Sequence, residues 1–284
     1  MPATDLCICE FHRPNARLPT FSELAAALIG AINASGHVTR YLQGACDPRS
    51  TNLVFGAHRL FENESAALSL PASSVIFNLE NLSVHAPSEG HARYRKLLQS
   101  HRVIDYSQRN IHLLEQWGNR NTHRFRFGYT TLPSFICPPR SEHLLFFGSL
   151  SDRRKGILHD LISRGQKVKG LVNQWGFQRD YEILTSKGIL NISKTADSQL
   201  EVYRLWHALC LGTAVVSERG SDTDLAAEWA PYVTFVDDLT RLSSVDALEL
   251  APAQVFREAT SFDEEVARLL AWLGYQPGSI TGRA

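Results

Sequence analysis

Short apolar runs alternate with amphipathic stretches along the first half of this chain. LCICEF (6–11), NLVFGAH (52–58), SVIFNLE (74–80) and VIDYS (103–107) are too short for helices and rich in branched or aromatic side chains, so they predict strands. HVTRYL (37–42) and RFRFGY (124–129) predict two more. Between them, FSELAAALIGAINASG (21–36) has helical spacing, with Thr20 as the expected N-cap, Glu23 three residues on, and Gly36 as the stop. HARYRKLLQS and RNIHLLEQWG predict further helices, and Asp105 is an alternative cap for the second of them.

The proline-rich segment TLPSFICPPRSE (131–142) interrupts the rhythm and reads as a linker. A second series follows. LLFFGSL (144–150), KVKGLV, ILNIS (189–193), TAVVSE (213–218) and YVTFVD (232–237) predict strands. DRRKGILHDLISRG, with Asp152 as cap, predicts a helix, as do QRDYEILTSKG, QLEVYRLWHALCLG and DTDLAAEWA. The chain then carries one long amphipathic segment, 252–275. Strands separated by helices imply βαβ units and parallel sheets. The expectation is an α/β protein of two tandem Rossmann-like domains facing a central cleft. Residues 1–138 would form the first domain and 139–284 the second, the last helix packing back on the first.

The 284 residues (31.8 kDa) allow that division. Hydrophobic residues are 44% and charged residues 20%, which excludes a disordered chain. Lys+Arg and Asp+Glu are both 29, arguing against a polybasic nucleic-acid coat or an acidic tail. Cys7, Cys9, Cys46, Cys137 and Cys210 are odd in number and form no CxxC pair, so neither a disulfide framework nor a structural zinc is expected. The first residues lack a basic leader ahead of an apolar core, and the longest apolar stretch (24–32) is far below the roughly 20 residues of a membrane span. A soluble cytoplasmic protein is expected.

In doubly wound sheets, ligands bind beyond the carboxyl ends of the strands. In the second half the first such turn is FFGSLSDRRKG. Gly148 and Ser149 leave backbone amides open to an anion, a helix begins there, and Arg153 and Arg154 stand in its first turn, where cations are misplaced unless an anion is near. Trp175 and Arg179 follow the next strand, and Lys187 precedes the one after. Asn191 is an amide inside an apolar strand and needs partners. Glu201 and Arg204 share a helical face, and Glu218 ends a strand where a carboxylate accepts bonds from sugar or ribose hydroxyls.

These motifs, in this order, resemble the donor-binding domain of GT-B-fold glycosyltransferases, and the similarity extends to NLVFGAH, IFNLENL and VIDYSQRNI in the first half. The resemblance implies a nucleotide-sugar donor. Its diphosphate would lie on the FFGSL turn near Arg153, Arg154 and Lys187. Its nucleoside would rest by Trp175 and Arg179, and its ribose or sugar would be held by Glu201, Arg204 and Glu218. Many retaining members carry two glutamates with seven residues between them. Their places here hold Gln199 and His207, so Glu201 and Arg204 are carried over as donor contacts only. No cofactor and no metal are expected, because arginines and backbone dipoles would meet the leaving diphosphate.

The resemblance assigns the acceptor to the first domain, where an inverting enzyme needs a base. Strand-end candidates are His12, His58, Glu80 and Asp105. No GxSxG, HExxH, P-loop or GxGxxG is present. The expected activity is metal-independent glycosyl transfer to an acceptor hydroxyl. Alternatives are transfer to a nucleic-acid base or a protein, kept open by the basic clusters RYRKLLQSHR and HRFRF, or a non-catalytic GT-like binding protein.

Overall fold

The computed structural model describes residues 5–12, 20–61, 70–83, 89–133, 139–172, 174–241 and 250–276. Residues 134–138 of the expected linker, with Cys137, lie outside them. The chain divides into two units: Met1–Arg126 with Phe262–Ala284, and Phe127–Ser261.

The first unit holds strands β1 (Leu6–Glu10), β2 (Thr39–Gln43), β3 (Thr51–Phe55), β4 (Ser74–Asn78), β5 (Arg102–Asp105) and β6 (Thr122–Arg124). They form one parallel sheet in the order β2-β1-β3-β4-β5-β6. A parallel sheet has both faces covered by its crossover helices, so its inner strands read as unbroken apolar runs. β1 and β4 are accordingly buried at every position, while the margin strands β2 and β6 are not. Helices α1 (Ser22–Ala34), α2 (Glu89–Ser100) and α3 (Gln108–Gln116) connect strands, and a 3-10 turn, Ala57–Phe61, follows β3. Cys7 and Cys9 are buried core residues with their sulfurs 3.7 Å apart, and the Cys9 thiol donates to Asn52 Oδ1 at 3.2 Å.

The second unit holds β7 (Leu144–Gly148), β8 (Val168–Val172), β9 (Gly188–Asn191), β10 (Ala214–Glu218) and β11 (Thr234–Val236), all parallel, in the order β11-β10-β9-β7-β8. Its helices are α4 (Asp152–Ser163), α5 (Phe177–Thr185), α6 (Val202–Cys210), α7 (Thr223–Trp229) and α8 (Ala253–Ala259). Helix α9 (Phe262–Leu273) belongs to the first unit, where Phe262 packs edge-on against Phe125 and Trp272 lies under the Arg102 guanidinium. Among the described residues no helix is long and apolar enough to cross a membrane.

Several local expectations are corrected. RFRFGY is a strand only as far as Arg124. β6 pairs with β5 alone, β5 ends at Asp105, and Phe125 N–H donates to Asp105 O at 2.8 Å before the chain leaves the sheet. Thr20 does not cap α1. Phe21 holds that position, and its N–H is taken by the buried Glu10 carboxylate at 2.8 Å. Ser151, not Asp152, caps α4, its extended backbone letting Oγ accept from Arg154 N–H at 3.3 Å. Ser107, not Asp105, caps α3. The amphipathic segment 252–275 is two helices, because Thr260 adopts an extended conformation (φ −136°, ψ 151°) and its hydroxyl accepts from Tyr129 N–H at 2.9 Å. The units divide at Arg126–Phe127, ahead of the proline-rich segment taken as the joint.

Candidate functional site

Both sheets reverse winding direction once, leaving a crevice beyond the carboxyl ends of two strands. In the first unit the reversal lies between β1 and β3, in the second between β7 and β9. A glycine stands at each. Gly56 (φ 68°) follows β3, and a Cβ there would sit 2.1 Å from the Phe11 carbonyl oxygen. Gly148 (φ 129°) ends β7, and a Cβ there would sit 2.8 Å from Arg204 Nη2. Either position would be strained by a side chain and would also lose a close approach.

At the first edge, β3 delivers His58 and β4 delivers Glu80. His58 Nε2 lies 3.4 Å from Glu80 Oε1, and the imidazole packs edge-on to Tyr94 with centroids 6.0 Å apart. Behind this pair is a buried polar cluster. Asp105 at the end of β5 is wholly buried, accepting from Asn78 Nδ2 at 2.6 Å, Ser107 N–H at 2.8 Å and Asn110 Nδ2 at 3.1 and 3.2 Å. Burial pushes its carboxyl up to about 7, even though those donors favour the charged form. It reaches no solvent and therefore organises the edge from below. His12 follows β1, half-buried, with Nδ1 unpartnered among the described residues. Glu10 is also wholly buried, accepting from Phe21 N–H and Tyr41 OH, both at 2.8 Å. Burial raises its carboxyl despite these bonds.

The second edge is made of guanidinium–carboxylate pairs. Arg153, at the start of α4, pairs through both Nη atoms with Glu218 at the end of β10, and its Nη1 also donates to Ser193 O at 2.9 Å. The Glu218 bond raises the Arg153 guanidinium above its ordinary range. Arg154 is 2% exposed. It donates to Ile192 O and Ser149 O, both at 2.9 Å, and pairs with Glu201. Glu201 also meets Arg204 Nη2 at 2.5 Å, so one carboxylate serves two arginines. Arg204 lies over Phe147 at 5.5 Å and donates to Asn191 Oδ1 at 2.7 Å, while Asn191 Nδ2 donates to Ser217 Oγ at 2.9 Å. Burial lowers the Arg204 guanidinium, opposed by Glu201. A layer deeper, Asp180 Oδ1 accepts from Arg179 Nε at 3.0 Å and lies 2.8 Å from His207 Nε2. Burial would raise Asp180, but His207 and Arg179 hold it below the usual carboxylate range.

Of the residues singled out in the sequence, the structure gathers Gly148, Ser149, Arg153, Arg154, Asn191, Glu201, Arg204 and Glu218 at this second edge. The arginines are held in ion pairs instead of standing open. Trp175 follows β8, half-buried, and Arg179 is buried beside Phe147. Lys187 is not brought to this edge. It precedes β9 at the amino end of the strand, where its N–H donates to His143 O. Lys194, three residues beyond the end of β9, does reach the carboxyl side. It is exposed, has no ion pair among the described residues, and its carbonyl accepts from the α4 cap Ser151 Oγ at 3.0 Å. Sequence reading missed Lys194, Glu10, Asn78 and Tyr94. Asn78 carried the same signal as Asn191, an amide closing an apolar strand. Among the described residues no cluster of histidine, cysteine and carboxylate side chains suits a metal ion.

No protein-family model matches the chain. An uncharacterized protein of Acanthamoeba polyphaga mimivirus is 30% identical over 141 residues, 47% of this chain; the match spans only 19% of that protein's length. Two solved structures align over nearly the whole chain. AviGT4, a glycosyltransferase involved in avilamycin A biosynthesis, has a TM-score of 0.54 at 13% identity, covering 95% of this chain and 97% of its own. T4 phage BGT, solved in complex with UDP and Mn2+, has a TM-score of 0.50 at 10% identity, covering 95% and 99%. With its two parallel-sheet Rossmann-like units, this chain has the GT-B glycosyltransferase fold.

Proposed function

We propose that the protein is a glycosyltransferase that moves a sugar from a nucleotide-activated donor to an acceptor hydroxyl. The observation that carries this reading is the gathering of Arg153, Arg154 and Arg204 around the β7–β9 switch point of a GT-B chain. The diphosphate would lie on the turn after Gly148. By helix geometry, the N–H groups of Asp152 and Arg153 have no partner within α4, and they form the positive end of its dipole. Lys194 and the one-third-exposed Arg153 would add charge. Trp175 offers a ring for the base. Glu201 and Glu218 would orient ribose or sugar hydroxyls while keeping their arginines aligned.

On the first unit, the His58 imidazole would take the acceptor hydroxyl proton through the ring nitrogen that does not face Glu80, and the Glu80 carboxylate beside Nε2 would stabilise the imidazolium so formed. The acceptor oxygen bonds to the anomeric carbon as the bond to the diphosphate oxygen breaks, with inversion. The leaving charge is met by Lys194, Arg153 and the α4 amides, so no step requires a metal. T4 phage BGT was solved with Mn2+, which makes metal dependence part of the test.

The test is a thermal-shift titration of the whole protein against the five common nucleoside diphosphates, with and without EDTA, followed by donor-turnover assays. One nucleotide should raise Tm by several degrees, with EDTA making no difference. Failure of every nucleotide to stabilise the protein would overturn the donor site, and loss of the shift in EDTA would overturn metal independence.

A further inference from the structure

The His58–Glu80 pair belongs to a larger hydrogen-bonded unit, and that unit is built to hold one side chain where the other can reach it. Asn78, the last residue of β4, is wholly buried and grips the backbone of Glu80 at both polar groups. Its Nδ2 donates to Glu80 O at 2.9 Å, and its Oδ1 accepts from Glu80 N–H at 3.2 Å. Asn110, also wholly buried, donates to the same Glu80 oxygen at 3.0 Å, and its Oδ1 accepts from Leu82 N–H at 3.3 Å. The turn carrying Glu80 is therefore tied at three successive points. Asp105 accepts from the Nδ2 of both amides, which fixes that end of each as the donor and leaves each Oδ1 to accept from the N–H groups of the Glu80–Leu82 turn. Tyr94 completes the unit from α2. Its hydroxyl donates to Asn78 Oδ1 at 2.7 Å, and its ring packs edge-on against the His58 imidazole. One buried assembly thus touches both members of the pair.

We infer that Asp105, Asn78, Asn110 and Tyr94 are positioning residues for the His58–Glu80 pair, holding the Glu80 carboxylate within reach of the imidazole. This rests on the reading of His58 as the acceptor base. A group that must take a proton needs its carboxylate partner held in place, since loose supporting residues cost rate without removing any reacting group. Satisfied buried networks of this kind are rigid because each member lacks an alternative partner. Neither Asp105 nor the amides touch the reacting atoms. Their effect passes through the Glu80 turn.

The experiment is a histidine-ring NMR titration of His58 in the whole protein, compared with Glu80→Gln, Asn78→Leu and Tyr94→Phe. Glu80→Gln removes the carboxylate and sets the midpoint of His58 without that partner. Tyr94→Phe leaves the donors to Asp105 in place and so separates geometry from the Asp105 charge, whereas Asn78→Leu releases the Glu80 backbone itself but also removes a donor from Asp105. The Asn78→Leu midpoint should fall from the wild-type value towards that of Glu80→Gln, by about half a pH unit or more. Nucleoside-diphosphate stabilisation, which reads the other unit, should be unchanged. A folded Asn78→Leu protein with the wild-type midpoint overturns the inference. If that variant does not fold, Tyr94→Phe decides, since it keeps the ring against His58 and removes only the hydroxyl bond. A lowered midpoint supports positioning and an unchanged one overturns it. The titration needs no turnover. An inert wild type with the expected midpoints would sink the transferase reading alone, and an active one with unmoved midpoints would sink the positioning role alone.

Discussion

The two units reach the same topological feature with opposite chemistry. At the β1–β3 reversal and its neighbours, the first unit buries two acids, Glu10 and Asp105, among neutral donors, with the His58–Glu80 pair in front. At the β7–β9 reversal, the second unit buries cations, each matched to a carboxylate. A neutral surround leaves an acid poorly compensated, so Asp105 is driven up to about 7. A cationic surround does the reverse, and Asp180 is held low. One edge is suited to handling a proton and the other to handling an anion, and in neither case does the sheet itself make the distinction.

The sharpest break of this contrast is Glu201→Ala. It leaves Arg154 and Arg204 buried without their shared carboxylate, and stability should fall by about 3–5 kcal/mol. Chemical denaturation measures it, and a loss within experimental scatter would mean that the arginines re-pair easily. His58→Ala should instead leave stability nearly intact and lower kcat for transfer by about 10²–10⁴-fold, with the donor-induced Tm shift preserved. Steady-state rates near wild type would move the base elsewhere, with His12 next in line.

The pH responses of Asp105 and Asp180 should have opposite signs. Asp105 has a folded pKa near 7, above its ordinary value of 3.8, so the native state holds its proton longer than the unfolded chain does. The stabilisation linked to that proton is complete below about pH 4 and is lost as pH rises towards 7. Asp180 is depressed, so its stabilisation is present above its ordinary value of 3.8 and disappears only as pH falls below that. Hydrogen exchange followed unit by unit, corrected for intrinsic rates, should show the β4–β5 core gaining protection from pH 7 to 5 while the α5–α6 core stays level. Parallel changes in both would contradict the contrast. The smallest effect is expected from Lys194→Ala, a roughly tenfold rise in Kd for the stabilising nucleoside diphosphate, read by titration calorimetry. An unchanged Kd would remove Lys194 from the donor site.

Element type was largely legible in the sequence because the inner strands of a parallel sheet are apolar on both faces and the helices between them keep a polar face. Boundaries were less so. Whether a cap is Ser151 or Asp152 depends on which residue takes extended dihedrals, and RFRFGY stops being a strand where its only partner ends. At the site, Gly148, Asn191 and Glu218 were readable as strand residues with unusual chemistry for their places, and Glu201 as a carboxylate on the same helical face as Arg204. Lys187 was misplaced on the strength of its charge, although its position just before β9 puts it at that strand's amino end, away from the carboxyl side where ligands bind.

The sequence by itself determined the two β/α series, the apolar strands, the special glycines and the residue types available at each strand end. These follow from local periodicity and backbone preference, which act over a few residues. Only the tertiary structure decided that Arg154 and Arg204 share Glu201, that Asn78 and Asn110 converge on Asp105 across three elements, and that α9 joins the first unit while α8 stays in the second. Arg154–Glu201 and Asn78–Asp105 join residues 47 and 27 apart in the chain. A buried polar group must find a partner, but which partner it finds is fixed by strand order and register, which no local stretch of sequence encodes.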